Sequence, residues 1–198
     1  EEGDFFRLPF PNDVRRSAQG LDLSGFPTPG AGILGVDAVK LYVDAIQGSD
    51  KGWGTDPTIT FRFSGRVEIP DPADVVALGW VDVTPGQTDW ASVGLRWSNN
   101  WGRNKYVCEN AVSAKRPMGY PLTPGHTYAV YLTTDIKSYT GQTIIRRKNL
   151  ISLLAGSAPS RSALADAYDA YAPFRDYLTD KNIEPATILN ATVITVGD

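Results

Sequence analysis

Short apolar runs in the middle of the chain are cut apart by turn-forming residues, and this punctuation limits the fold more than any other feature. Pro70-Asp71-Pro72, Pro85-Gly86, Asn99-Asn100, Pro124-Gly125 and Thr140-Gly141 each mark a turn. Proline fixes φ and lacks an N–H, so no long helix runs through these points. Between them, Ile59, Phe61 and Phe63 alternate with Thr58, Thr60 and Arg62. That period of two is the mark of a strand with one buried face. Val93, Leu95 and Trp97 alternate in the same way, which places Trp97 on an inward face, and so do Tyr128, Val130 and Leu132. The run Val75 to Val83 is apolar on both parities, as a central strand requires. Ala191 to Val196 reads as a last strand. Several short strands separated by turns predict a mainly-β chain, an Ig-like β-sandwich rather than alternating βα units.

The flanks differ from the middle. Residues 1–32 are rich in Pro and Gly and carry Phe5, Phe6, Phe10 and Phe26. They read as an extended N-terminal arm anchored on the domain by its aromatic side chains, too aromatic for a free linker. Residues 33–198 read as the sandwich itself, with helical insertions near 33–46 and 160–181, in one structural domain overall. In the first, Val36, Val39, Val43 and Ile46 share a face, and Gly48 and Gly52 end it. In the second, Leu164, Tyr168, Tyr171 and Leu178 share a face, Ser160 stands at the N-cap position, and Pro173 divides or kinks the segment.

With 198 residues, 42% of them hydrophobic, the chain is long enough to bury a core without disulfides or metals. Its net charge of −3 and the lack of a basic stripe argue against nucleic acid. No run of about 20 apolar residues is present to span a membrane. The chain starts at Glu1-Glu2-Gly3 without a signal peptide, as a mature or trimmed form would. Cys108 is the only cysteine, so no intrachain disulfide forms. It reads as a buried, inert thiol in a strand through Tyr106-Val107-Cys108.

Catalytic constellations are missing from the pattern. The one histidine, His126, lies in a turn before a strand, which excludes a histidine metal cluster and makes a surface position the expectation. No Gly-x-Ser-x-Gly elbow and no phosphate-binding glycine loop occurs. Gly30, Gly32 and Gly35 lead into a helix whose N-terminus has the chemistry to receive an anion, but their spacing does not fit a dinucleotide fingerprint. Gly48 to Asp56 has the look of a calcium loop with Asp50 and Asp56 as oxygen ligands. Lys51 interrupts it and no Glu closes it, so a solvated loop is expected. A carboxylate pair of the glycosidase kind depends on spacing in space, which spacing in sequence does not give.

Aromatic residues supply the positive signal. Trp90, Trp97, Trp101 and Tyr106 surround the polar loop Ser98 to Asn104. Indoles beside Asn and Arg stack on sugar rings while the polar groups take hydroxyls. Trp53 and Trp101 lie in loops and are the candidate ligand contacts, with Asn100 and Arg103 beside the second.

Two stretches carry a family resemblance. Phe10-Pro11-Asn12-Asp13 with Arg15-Arg16, followed by Leu21 to Pro27, resembles the start of a group of bacterial exported proteins. That group includes myxobacterial-type surface lipoproteins and the N-terminal region of extracellular lipases. Pro121 to Val130, with Gly141 after it, resembles the late-strand signature of bacterial Ig-like domains of the S-layer (SbsA) type. Tyr171 to Leu178 and Ala191 to Thr195 are similar to the helix and strand that follow this module. The resemblance implies an exported chain on the outer surface or outside the cell, lipid-anchored upstream of Glu1, and a hydrolase or β-domain downstream. It implies a non-catalytic structural or interaction module without a cofactor. Its partners would be other domains of the same protein, cell-surface proteins or glycans. A carbohydrate-binding module using loop tryptophans and a carboxylate-dependent hydrolase are the alternatives.

Overall fold

The computed structural model describes residues 5–32, 35–49, 51–71, 76–103, 108–160 and 162–198. The chain is sheet-rich, built from small antiparallel sheets with helices packed against them. Two single 3-10 turns, Phe5–Arg7 and Asp13–Arg15, interrupt the arm expected to be extended; β1 (Arg16–Ser17), β2 (Gly20–Leu21) and α1 (Ala38–Ser49) come next. The strands β3 (Ile59–Arg62), β4 (Val67–Glu68), β5 (Leu78–Asp82), β6 (Arg96–Asn100), β7 (Ala111–Lys115), β8 (Thr127–Thr133) and β9 (Lys137–Ser138) follow. Helices α2 (Lys148–Leu153), α3 (Ser162–Ala170) and α4 (Ala172–Asp180) precede β10 (Ile188–Thr195).

Two three-stranded sheets hold the core. One runs β3-β7-β6 and the other β10-β8-β5, all antiparallel. Ile59, Phe61, Val112 and Ala114 of the first share a hydrophobic cluster with Trp80, Tyr128, Val130, Leu132 and Ile194 of the second. The two-residue ribbons β1-β2 and β4-β9 lie outside these sheets.

β8 explains why the helices belong to the core. Its residues Tyr128, Val130 and Leu132 face the first sheet's cluster, while Ala129 and Tyr131 belong to a second cluster with Leu150, Leu153, Tyr171, Phe174 and Leu178. A strand buried on both faces is apolar on both parities. The helices near the C-terminus therefore cover the second face of β8 and β10 rather than decorate a finished sheet, which corrects their description as insertions.

The central strand is β8, flanked by β10 and β5, and not the run Val75 to Val83. Residues 72–75 lie outside the described part; β5 itself begins at Leu78. Asp82 N–H donates to Ala91 O, and Val93 N–H donates to Trp80 O, so residues 91–93 cover the outer edge of β5. The first helix also differs from its expected limits. It starts after Asp37, which accepts from Lys40 N–H at 3.0 Å as an N-cap does. Val36 is left outside it and exposed, and Gly48 falls within the last turn rather than ending it. Residues 33–34 lie outside the described part. Pro173 marks a boundary: it occupies the first turn of α4, where a missing N–H costs nothing, and α3 has ended at Ala170. The short helix α2 carried no sequence signal strong enough to be anticipated.

The N-terminal arm is fastened by buried polar bonds. Phe5, Phe6, Phe10 and Phe26 form one ring cluster with centroids 5.0–6.2 Å apart. Asn12 donates to the Tyr171 hydroxyl at 2.8 Å, and that hydroxyl donates to Ala191 O at 2.9 Å. Thr192 donates to Pro11 O at 2.6 Å. Each bond satisfies a polar group inside the protein, where an unpaired one costs about 1–3 kcal/mol.

Candidate functional site

The tryptophans divide into core and surface in a way the sequence did not show. Trp53 is only 7% exposed. Its backbone pairs with Val196 and its ring meets Phe10 edge to face at 5.4 Å. Its indole N–H donates to Asp13 at 2.8 Å. A ring enclosed in this way offers no face for stacking, so Trp53 is removed from the candidate contacts. Trp90 adopts φ +44° and packs on Tyr177 of α4 at 5.6 Å, within the helix-side cluster.

Trp97 corrects the opposite error. Its direct cross-strand partner is Ala114, which is fully buried, so the inward face was rightly assigned. The side chain nevertheless remains 37% exposed, because β6 ends its sheet and the core does not extend beneath it. Arg96, Trp97 and Ser98 are all exposed, so both faces of this stretch meet solvent.

Trp101 follows directly after β6 and is half exposed. Asn100 positions it. The Asn100 side-chain amide donates to Gly102 O and to Cys108 O, both at 2.8 Å, and folds the loop back on itself. Asn100 is thus a loop staple with its N–H groups already used. The Arg66 guanidinium lies 4.8 Å from the Trp101 ring centroid and 5.9 Å from that of Tyr139, an exposed residue. Tyr139 N–H donates to Arg66 O at 2.9 Å, next to the β4-β9 ribbon. The tight turn around it is closed by Gly141 N–H donating to Ser138 O at 2.8 Å. The result is a cation between two aromatic rings on an open surface. Arg103 is exposed beside it. Exposed rings of this kind stack on flat apolar faces, and the guanidinium donates to oxygen acceptors in a planar fork.

The other candidates are placed as follows. His126 is not a bare surface residue: its Nδ1 lies 2.7 Å from Asp82 Oδ2, and its ring is partly buried. Asp82 Oδ1 accepts from Thr84 N–H and from the Thr84 hydroxyl. Among the described residues no hydroxyl or thiol is hydrogen-bonded to the other ring nitrogen. Cys108 is half-buried and lies outside β7; residues 104–107 fall outside the described part. At the start of α1, Asp37 Oδ2 accepts from Gly30 N–H at 2.6 Å, so the chain's own carboxylate fills the anion position. Asp50 lies outside the described part and Asp56 is exposed. Among the described residues no three His, Cys, Asp or Glu side chains gather in a metal-holding group.

One cleft is lined by Asp13, Asp166 and Asp169 together with Arg16, Thr127 and Thr195. Both Asp13 oxygens are occupied, by Trp53, by Thr195 N–H and by the Thr195 hydroxyl. Burial raises the Asp13 pKa above the ordinary carboxylate value, outweighing the bonds from Thr195 and Trp53.

Sequence reasoning also missed the charge on the β6–β7 hairpin. Between Trp90 and Thr134 stand Arg96, Arg103, Lys105, Lys115 and Arg116, against the single acid Glu109, in a chain of net charge −3. A windowed charge count would have found it. The pairing of β6 with β7 then sets Arg96 directly opposite Lys115, both exposed. No protein-family model matches the chain, and no curated protein matches it. Among the described residues no helix is long and apolar enough to cross a membrane.

Proposed function

We propose that this chain is a non-catalytic, immunoglobulin-like interaction module of an exported bacterial protein. The Ig-like reading is supported by two antiparallel three-stranded sheets that share one hydrophobic cluster. Export and a surface or extracellular setting rest on the resemblance of the Phe10–Pro27 and Pro121–Val130 stretches to bacterial exported proteins. The binding role rests on one observation: Trp101 is half exposed, with the Arg66 cation 4.8 Å from its ring. A large aromatic residue held out of the core by a stapled loop has a role at the surface.

That observation favours carbohydrate as the ligand class. Sugar rings present flat C–H faces to an indole and acceptor oxygens to a guanidinium. Titration of the chain with soluble polysaccharides, followed by tryptophan fluorescence, tests this. At least one polysaccharide should perturb the emission, and Trp101→Ala should remove the response. No perturbation by any polysaccharide defeats the carbohydrate reading. Hydrolysis of an ester or a glycan by the purified chain, abolished by a single substitution such as Asp166→Asn, would replace the non-catalytic reading with a carboxylate-dependent hydrolase.

A further inference from the structure

The turn at residues 117–120, directly after β7, holds two large apolar side chains in solvent. Met118, the chain's only methionine, is 90% exposed and Tyr120 is 64% exposed. The turn is firmly built. Tyr120 N–H donates to Pro117 O at 3.3 Å, and Gly119 takes φ +83°, a left-handed value that favours glycine at the third position. Arg116 donates through Nε to Tyr120 O at 2.9 Å and through Nη1 to Gly94 O at 2.7 Å, which braces the turn against the segment before β6. Past the turn, Leu122 is buried and its N–H donates to Thr55 O at 2.7 Å. Met118 thus stands on a projection that is fixed at both ends. Its surroundings are cationic. Lys115 and Arg96 face each other directly across the strands, both exposed, and among the described residues neither makes an ion pair or a side-chain hydrogen bond. No Asp or Glu occurs between Asn110 and Thr134, although the chain's net charge is −3.

We propose that this turn is a membrane-contact tip: it seats Met118 and Tyr120 in the interface of an anionic bilayer, while Lys115 and Arg96 attract the lipid phosphates. The proposal stands apart from the Trp101 site and goes beyond it. The backbone of the turn suits an apolar medium, where an unpaired polar group is costly. Pro117 and Pro121 carry no N–H. Tyr120 N–H, Tyr120 O and Pro117 O are already paired within the turn and its brace. Tyrosine belongs at the level of the headgroups, with its ring in the apolar layer and its hydroxyl in water. The cations are near enough to add to this. Lys115 is three residues from Met118, so their Cα atoms lie within about 11 Å whatever path the chain takes. Attraction to a charged surface extends over about 8–10 Å in salt, and the long lysine stem reaches further towards it. Which face of the sheet Lys115 takes is therefore not decisive. The exposed Met118 favours a bilayer over an acidic polymer, which would use the cations and leave the methionine in water.

The test uses the full chain with two kinds of vesicle, phosphatidylcholine alone and phosphatidylcholine with phosphatidylglycerol in equal parts. Binding is read by co-sedimentation. The mixed vesicles should bind the chain at least about tenfold more tightly than the neutral ones. Met118→Asp should weaken binding to the mixed vesicles by about tenfold or more, with an unchanged thermal midpoint because the side chain is exposed. The double variant Arg96→Gln, Lys115→Gln should weaken it by about tenfold. Insertion itself is read with an environment-sensitive thiol dye on Met118→Cys, in a Cys108→Ser background. Its emission should shift to the blue on the mixed vesicles. The same dye on Gly102→Cys, past the other end of β6, should not shift. No binding to the mixed vesicles overturns the proposal in favour of a protein partner for the turn. Equal binding to the two kinds of vesicle overturns it, because the cations then play no part. Undiminished binding by Met118→Asp, or a blue shift at position 102 without one at 118, overturns it by placing the contact elsewhere on the chain.

Discussion

The indole N–H of Trp53 donates to the carboxylate of Asp13 at 2.8 Å, across 40 positions of sequence and with both residues buried. The same carboxylate accepts from Thr195 N–H at 3.0 Å and from the Thr195 hydroxyl at 2.6 Å. One anion thereby joins the N-terminal arm, the loop before β3 and the end of β10. The arm is part of the folded unit because its buried side chains Asn12 and Asp13 bond to residues far along the chain.

Replacing Asp13 with Ala leaves the buried Trp53 indole N–H and the partly buried Thr195 N–H without this acceptor and takes one of two partners from the Thr195 hydroxyl. The expected loss is about 3 kcal/mol of unfolding free energy, measured by urea denaturation. A loss below about 0.5 kcal/mol would show that the arm is only loosely attached.

The same residue gives a pH dependence with a definite sign. Burial, the largest influence on Asp13, raises its folded pKa above the ordinary value of 3.8. The folded state then holds the proton more tightly than the unfolded chain. Asp13's contribution to stability is therefore greatest below 3.8 and declines as pH rises through the raised value. Asp13→Asn has no carboxyl to titrate, so unfolding free energy plotted against pH should fall less steeply for the variant over that window. Parallel curves would sink this assignment.

The helices cover the second face of β8, and Phe174 of α4 is fully buried there against Tyr131, with ring centroids 5.4 Å apart. Phe174→Ala should cost about 4 kcal/mol and leave a single unfolding transition. Two separate transitions in calorimetry would mean that the helices fold apart from the sheets.

Gly79 lies directly opposite Tyr131 in the β5-β8 pair, and a methyl group added there would fall within the Tyr131 ring. That ring is hemmed in by Phe174 and by the Tyr177 hydroxyl at 3.2 Å, so it has little room to yield. Gly79→Ala should destabilise by about 2 kcal/mol, against less than about 0.5 kcal/mol for alanine at the open position Gly102.

Trp53 and Trp80 are buried, while Trp97 and Trp101 are exposed. Acrylamide should quench part of the tryptophan emission, and Trp101→Ala should shrink that accessible part. Its unfolding free energy should change by no more than about 0.5 kcal/mol, as befits a surface side chain. A larger loss would place the ring in the packing of the β4-β9 ribbon instead.

Sheet richness was legible in the sequence because alternation and turn chemistry act locally. The parity of Ile59 and Phe61, the apolar character of β8 and the break at Pro173 each follow from a few neighbouring residues. Which face a residue takes was also legible, and Trp97 does lie opposite Ala114. How far the core reaches beneath each strand was not. Burial depends on which strand ends a sheet, and strand order is set by contacts between distant segments.

The opening pattern of short strands and turns thus determined the kind of fold and the parity of its side chains. Tertiary structure decided the rest. It put Trp53 inside and Trp101 outside, although both were read as loop tryptophans. It made a structural anion of Asp13, a staple of Asn100 and a partner for Asp82 of His126. It also set Arg96 against Lys115, a juxtaposition created by strand register. Local sequence fixes φ, ψ and side-chain alternation, whereas the environment of a side chain is supplied by residues that only the packed fold brings near.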